Sequence, residues 1–183
     1  MNVSLAIRMC LLFCIVSADV VGQSTPYAGQ ESRDIKALSA EEVSDLMAGK
    51  GMGLAKAAEL NGYPGPSHVL ENRTALKLSD QQAQQTQALF ASMQAKAIGL
   101  GTSLVEEERR LDRMFGDGTI SPEALVASLA RIGSLQADLR AAHLAAHLAQ
   151  RQILTADQNA AYIKLRGYES NARHEGAHTG HRH

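Results

Sequence analysis

Apolar residues recur at helical spacing over two long stretches in the second half of the chain. The first stretch runs from Asp80 to Phe115, and the second follows Ser121-Pro122. In both, apolar positions lie mostly three, four or seven residues apart, which is typical of a helix that buries one stripe. The positions are Ala83, Phe90, Met93, Ala97, Leu100, Leu104, Leu111 and Phe115, then Leu125, Leu129, Ile132, Leu135, Leu139, His143 and Ala146. Gly116-Asp117-Gly118 between them predicts an antiparallel helical hairpin.

The same local pattern, Leu-[Ser/Thr]-x-x-Gln, precedes the first long helix and a final short one. A Ser or Thr at a helix start accepts a backbone N–H, and a Gln three residues later reaches back to the N–H of that cap residue. We therefore predict a helix start at each copy, and a looser copy at Leu38 predicts a short helix from Ser39 to Ala48. The two full copies are Leu78, Ser79 and Gln82, and Leu154, Thr155 and Gln158.

The whole pattern predicts an all-α protein built on an elongated antiparallel helical hairpin with short flanking helices. We assign residues 66–167 to the hairpin and residues 23–65 to a flexible N-terminal extension that contains short helices. The turn residues from Asn61 to Pro66 separate the two. Residues 168–183 are polar and lack periodicity, which predicts a disordered, His-rich tail. A hairpin of this length buries its seam poorly alone, so we expect a homodimer.

The first 22 residues have the features of a secretory signal peptide. Arg8 precedes the apolar run from Met9 to Val16, and small residues follow at a cleavage site. The run is too short to span a membrane, and a buried N-terminal helix is the alternative. We predict export to the periplasm. Cys10 and Cys14 both lie in the signal, so the mature chain would have neither thiol chemistry nor a disulfide.

Composition and motifs exclude several functions. Aromatic residues are 4 % and the formal net charge is −1, which favours thin helical cores and gives no reason to expect a nucleic-acid partner. No Gly-x-Ser-x-Gly or His-Glu-x-x-His motif is present, so we do not expect an enzyme. Residues 49–53, Gly-Lys-Gly-Met-Gly, lack the ending of a phosphate loop and are interpreted as a helix end and turn. Glu106 to Arg113 is interpreted as a solvated helix face.

Two histidines in the second long helix are the strongest candidates for chemistry. His143 and His147 are four residues apart, so both imidazoles lie on one helix face and offer nitrogen ligands to Zn, Ni or Cu. If Asp80 lies opposite residue 157, Met93 falls near His143. The preceding short helix would bring His68 and Glu71 towards His147. We therefore hypothesise a metal site formed by His68, Glu71, His143 and His147. A packed core histidine is the alternative for His143.

The tail contributes four more histidines. A His-rich segment binds metals weakly, and the alternatives are a solubilising tail or a charge patch that responds to pH. The four are His174, His178, His181 and His183.

Two Leu-[Ser/Thr]-x-x-Gln copies one hairpin apart, behind an export signal, resemble the Spy/CpxP family of periplasmic proteins over roughly residues 66–166. That family includes folding chaperones, zinc-resistance-associated proteins and heavy-metal sensor domains. The resemblance implies a dimer or larger assembly with a concave helical surface, and metal ligands drawn from the first and last long helices. The chaperone surface of the family is basic, whereas this chain is roughly neutral to acidic.

These observations leave three functional hypotheses. The first is a chaperone-like periplasmic stress protein that binds unfolded clients or partner proteins on a helical surface. The alternative is a heavy-metal sensor or metal-resistance protein that uses helix and tail histidines and reports to a membrane sensor protein. The third is a purely structural helical protein in which the two motifs are only helix caps.

Overall fold

A computed structural model describes residues 26–168 of the 183-residue chain. The described part contains helices and no strand, so the all-α prediction is confirmed. The helices are α1 (Ala40–Met47), α2 (Lys56–Glu59), α3 (Pro66–Glu71), α4 (Asp80–Gly116), α5 (Pro122–Ile153) and α6 (Ala156–Leu165). The predicted signal peptide, residues 1–22, and nearly all of the predicted tail lie outside the described residues.

The chain divides into two units, and all the helices belong to the second. The first unit ends at Glu31, and its described residues, 26–31, form turns in which the Gln30 side chain donates to the Pro26 carbonyl. The second unit begins at Ser32. None of the helices between residues 26 and 168 combines the length and hydropathy that crossing a membrane requires.

Capping chemistry sets the helix starts where the sequence predicts them. Ser39, Ser79 and Thr155 each accept from the backbone N–H three residues on, and the Glu or Gln at that position accepts from the N–H of the cap. Ser121 caps α5 with Pro122 in its first turn. α3 ends at Glu71, after which the chain turns and reaches a positive φ of 50° at Lys77.

α4 and α5 pack antiparallel along one apolar seam. Near one end Gln82 of α4 donates to the Ile153 carbonyl at 2.9 Å, and near the other Arg110 donates to Ser128 at 2.9 Å. Ile35 and α1 pack onto the same seam, so the predicted extension lies against the long helices from Ile35 onwards. The buried side chains of this core are Ile35, Leu46, Ala97, Leu104, Val105, Ile132, Leu135 and Leu139.

Two residues that the apolar stripe predicts to be buried are exposed. Phe115 and Leu129 lie towards the α4–α5 turn and keep 57 % and 53 % of their surface accessible. A seam between two helices buries only the side chains that point at the partner helix, and spacing along the sequence does not distinguish these from their flanking neighbours.

α1 touches α4 directly at Gly101. A Cβ added there would collide with the carbonyl oxygen of Leu46, whereas a Cβ at Gly99 would meet nothing within 4 Å. Both glycines lie within the continuous α4 helix. Gly101 is therefore the position that admits the C-terminal end of α1 to the core, and neither glycine ends the helix.

The two Leu-[Ser/Thr]-x-x-Gln copies meet through their glutamine side chains. Gln82 Nε2 donates to Gln158 Oε1 at 2.7 Å, and Gln158 Nε2 donates to Gln82 Oε1 at 3.0 Å. Each amide also bonds the neighbouring segment, Gln82 at the Ile153 carbonyl and Gln158 at the Leu76 carbonyl, 3.1 Å away. The starts of α4 and α6 are thus joined by a nearly symmetric amide pair, beside a second apolar cluster of Val69, Leu76, Leu154 and Tyr162.

Replacing Gln82 with Glu tests the amide pair without removing the helix cap. Glu still accepts the Ser79 N–H, but it cannot donate to Ile153 or Gln158. We expect the free energy of unfolding in urea to fall by about 2 kcal/mol, because two hydrogen bonds are lost and their acceptors stay partly buried. The control is Gln85→Glu, the same change at an exposed position of α4. Equal stability of the two variants would contradict a structural role for the pair.

A pair of glycine substitutions tests the contact between α1 and α4. We expect Gly101→Ala to lower the free energy of unfolding by roughly 1–3 kcal/mol, because the added methyl group forces α1 away from the core. Gly99→Ala should raise it by roughly 0.5–1 kcal/mol, since Ala favours the helix and the space is open. Urea denaturation measures both, and a Gly101→Ala variant as stable as Gly99→Ala would exclude the close contact.

Candidate functional site

A cavity of about 470 Å³ lies between the start of α3, the segment 49–53, α2 and the facing sides of α4 and α5. Its volume falls within the usual range of ligand-binding pockets. Phe90 and Met93 of α4 and His143 and His147 of α5 are among the residues that line it. The other polar or charged side chains on its wall are Lys50, Lys56, Glu59, Ser67, His68 and Gln94.

The structure brings most of the hypothesised metal ligands to this cavity. His68, His143 and His147 line it together with Met93. Glu71 does not line it. Only the first turn of α3 reaches the cavity, and Glu71 is the exposed last residue of that helix, where it accepts from the Ser67 hydroxyl at 3.0 Å.

Glu59 supplies the carboxylate that sequence reasoning assigned to Glu71. Its side chain is buried, and its Oε1 accepts from Tyr162 Oη at 2.6 Å, Arg166 Nε at 3.2 Å and Tyr168 Oη at 3.2 Å. His68 Nδ1 lies 3.4 Å from the same oxygen. The other oxygen, Oε2, is buried and has no hydrogen-bond partner among the described residues. Oε1 therefore holds the carboxylate in place, while Oε2 lies 3.7 Å from His147 Nδ1 without a hydrogen bond.

A Glu in a four-residue helix carries no sequence signal of burial. The residues that bond Glu59 do carry a signal, since Tyr162 of α6 and its C-cap Arg166 are four residues apart, a spacing that places two side chains on one helix face. Burial and the bond to Glu59 raise the pKa of Tyr162 well above its usual value, so the phenol stays protonated and donates.

His147 is held with one ring nitrogen directed at a defined acceptor. Its Nδ1 lies 2.8 Å from the Tyr63 carbonyl oxygen. A carbonyl only accepts, so Nδ1 carries the hydrogen and, in the neutral ring, Nε2 presents a lone pair. A Cβ added at Gly65 would lie 3.1 Å from His147 Nε2 and 3.6 Å from Glu59 Oε2. His147 Nε2 and Glu59 Oε2 thus both lie within 4 Å of the position that a side chain at residue 65 would take.

His143 is also buried, and its Nε2 has no hydrogen-bond partner among the described residues. Burial lowers the pKa of His143, and the neighbouring His147 lowers it further. The ring is therefore neutral near pH 7, and it keeps a lone pair. A packed core histidine with one hydrogen bond would also leave one ring nitrogen unpartnered, so both interpretations of His143 stay open.

The segment 49–53, interpreted from sequence as a helix end and turn, forms one wall of the cavity. Gly49 has a φ of +66°, and a Cβ there would come within 3.0 Å of the Gln94 carbonyl oxygen on α4. Gly51 faces His143, since an added Cβ would lie 3.8 Å from its Nδ1. Small residues therefore let this wall approach both long helices.

The donor atoms at the cavity are of types that bind metal ions, but there are too few of them to complete a metal site. In residues 26–168 no group of three or more His, Cys, Asp or Glu side chains is arranged to hold a metal ion. Glu59 Oε2 and His147 Nε2 are ligand types that Zn, Ni and Cu accept. Residues 26–168 therefore offer an incomplete set of metal ligands.

No family model, curated protein or solved structure matches this chain. The resemblance to the Spy/CpxP family therefore stays a prediction that rests on the two motifs around Gln82 and Gln158.

Proposed function

We propose that this chain is a non-enzymatic metal-binding protein of the Spy/CpxP type, which takes up a transition-metal ion such as Zn, Ni or Cu in the histidine-lined cavity. One observation carries the proposal. Glu59 Oε2 and His147 Nε2 both lie within 4 Å of the position that a Cβ on Gly65 would take, while the other polar atom of each side chain is hydrogen-bonded within the protein.

The surroundings of His147 support this proposal. Histidines that bind metals usually donate their second ring N–H to a carbonyl or a carboxylate, which selects the tautomer and orients the ring. The bond from His147 Nδ1 to the Tyr63 carbonyl has this form. Two further imidazoles, those of neutral His143 and of His68, line the same cavity.

The unpartnered oxygen of Glu59 supports the same conclusion. A buried carboxylate oxygen without a partner is unfavourable, and a cation beside it would remove that cost. The contacts of Tyr162, Arg166 and Tyr168 at Oε1 keep the carboxylate from rotating away from the space.

The cellular setting follows from the sequence and remains part of the proposal. The signal-like residues 1–22 support a periplasmic location, where the protein would buffer the metal or report it to a membrane sensor protein. A homodimer remains our expectation, on the ground that the α4–α5 seam leaves large apolar side chains exposed.

Calorimetric titration of Zn, Ni and Cu into the purified chain tests the metal proposal. We expect His147→Gln and Gly65→Ala each to weaken the tightest binding at least tenfold. The first removes a lone pair, and the second fills the space without removing a ligand. Gly65 has a φ of −85°, which Ala adopts without strain. Glu71→Gln is the control and should bind like the parent. Parent-like affinity in both cavity variants would overturn the proposal.

Exposed apolar side chains near the α4–α5 turn favour a second function, the binding of unfolded client proteins. Phe115, Val126 and Leu129 keep 57 %, 67 % and 53 % of their surface accessible. Attraction of unfolded clients by positive charge is less well supported, because the charge of Arg109 is offset by Asp34 and that of Arg110 by Glu107.

Suppression of aggregation of a reduced, unfolded test protein measures this second function. We expect the triple variant Phe115→Ser, Val126→Ser and Leu129→Ser to lose most of the protection that the parent gives, because the apolar contact surface is removed. Leu148→Ser changes an equally exposed residue of α5 nearer its C-terminal end and should keep the protection. Absence of protection by the parent itself would exclude the function.

A further inference from the structure

The cavity is much larger than a metal ion and its water molecules require. Its volume of about 470 Å³ is in the range of sites that take an organic molecule. A water molecule occupies about 30 Å³ in the liquid, so a few waters around a metal ion fill only part of this space. Phe90 and Met93, which line the cavity, form at best weak hydrogen bonds with such waters. The cavity therefore has room for an organic component beside the metal ion.

The described residues leave the coordination of a bound metal ion incomplete. Protein-bound zinc has four ligands, and water or another small molecule can supply those that the protein does not. Glu59 Oε2 and His147 Nε2 are the donor atoms beside Gly65, and residues 26–168 contain no group of three or more metal-ligating side chains. With Glu59 and His147 as ligands, two coordination positions of a zinc ion are left for a small molecule.

Lys56 brings a positive charge to the cavity lining that no carboxylate among the described residues neutralises by an ion pair. The other charged residues of the lining are already paired, Lys50 with Asp45 and Glu59 with Arg166. The Lys56 ammonium repels a bare divalent cation and attracts an anion. The charge of the lining therefore favours a metal ion that is bound together with an anionic ligand.

Lys56 and Glu59 lie three residues apart in α2, a spacing that puts their Cβ atoms about 5–6 Å apart on the helix surface. Both line the cavity, but Lys56 is exposed whereas Glu59 is buried. Lys56 Nζ lies 3.6 Å from the position that a Cβ on Gly53 would take, so the ammonium stays beside the segment 49–53 that lines the cavity. The lining therefore has metal-ligating atoms in its buried part and a cation in its exposed part.

We infer that the cavity binds the metal ion as a complex with a small polycarboxylate. Glu59 and His147 ligate the metal ion from the protein, and carboxylate oxygens of the chelator fill the remaining coordination positions. A further carboxylate of the chelator accepts a charge-assisted hydrogen bond from Lys56. This inference rests on the proposed metal-binding function and adds to it the chemical class of the second ligand.

Equilibrium dialysis of the full chain against radiolabelled citrate, with and without zinc, tests the inference. We expect one citrate to be retained per chain in the presence of zinc, and at least tenfold weaker retention in its absence. Coupling between two ligands is reciprocal, so citrate should raise the zinc affinity at least tenfold at equal concentrations of free zinc. Ethylenediamine, a neutral chelator without a carboxylate, should not raise it.

Substitutions of Lys56 test its contact with the chelator. Lys56→Gln removes the charge, and we expect it to weaken zinc-dependent citrate retention at least tenfold. Lys56→Arg keeps the charge and should restore most of the retention. Lys96→Gln makes the same change at an exposed residue of α4 that does not line the cavity, and it serves as the control. His147→Gln should also weaken retention at least tenfold, and Gly65→Ala replaces it if its helical circular dichroism is lost.

The possible outcomes separate this inference from the proposed function. Zinc binding without retention of citrate overturns the inference and leaves the proposed function standing. Equal retention of citrate with and without zinc shows a site for the organic anion alone and overturns the inference, as does parent-like retention by Lys56→Gln. Parent-like binding of zinc and citrate by both His147→Gln and Gly65→Ala places the metal elsewhere and overturns both, and so does a parent that binds no zinc with or without citrate.

Discussion

The amide pair of Gln82 and Gln158 is the interaction on which the rest of the arrangement depends. Each glutamine completes the N-terminal cap of its own helix and also bonds the other glutamine, so the starts of α4 and α6 are held together. The carbonyls of Ile153 and Leu76, where helices end or turn, take the remaining donors. Four chain segments therefore meet at two side chains, and α6 cannot shift without leaving polar groups unpaired.

The position of α6 in turn determines the cavity. Tyr162 of α6 and Arg166, which caps its C-terminus, bond one carboxylate oxygen of Glu59, and the other oxygen has no hydrogen-bond partner among the described residues. The turn after α2 contributes the Tyr63 carbonyl that orients His147. The site therefore combines residues more than 80 positions apart in sequence. No single residue of the site would identify it in the sequence.

Local chemistry explains why the helix starts and part of the site were predictable. A capping box involves residues only three apart, so Ser79 and Thr155 predict the starts of their helices without tertiary information. The register of two antiparallel helices follows once both starts are known, and the predicted neighbours Met93 and His143 do line the same cavity. Spacing along α3 was less reliable: it paired His68 with Glu71, yet only the first turn of that helix reaches the cavity.

The sequence by itself determined the helical class, the caps and the face on which His143 and His147 lie, because each depends on residues within one or two turns of a helix. Only the tertiary structure decided that Glu59 is buried, that Gly101 admits α1 and that Gly65 leaves room beside His147. Burial and close approach depend on which segments pack together across the whole fold. A short helix with one Glu, or a glycine within a long helix, has the same local pattern whether or not another element lies against it.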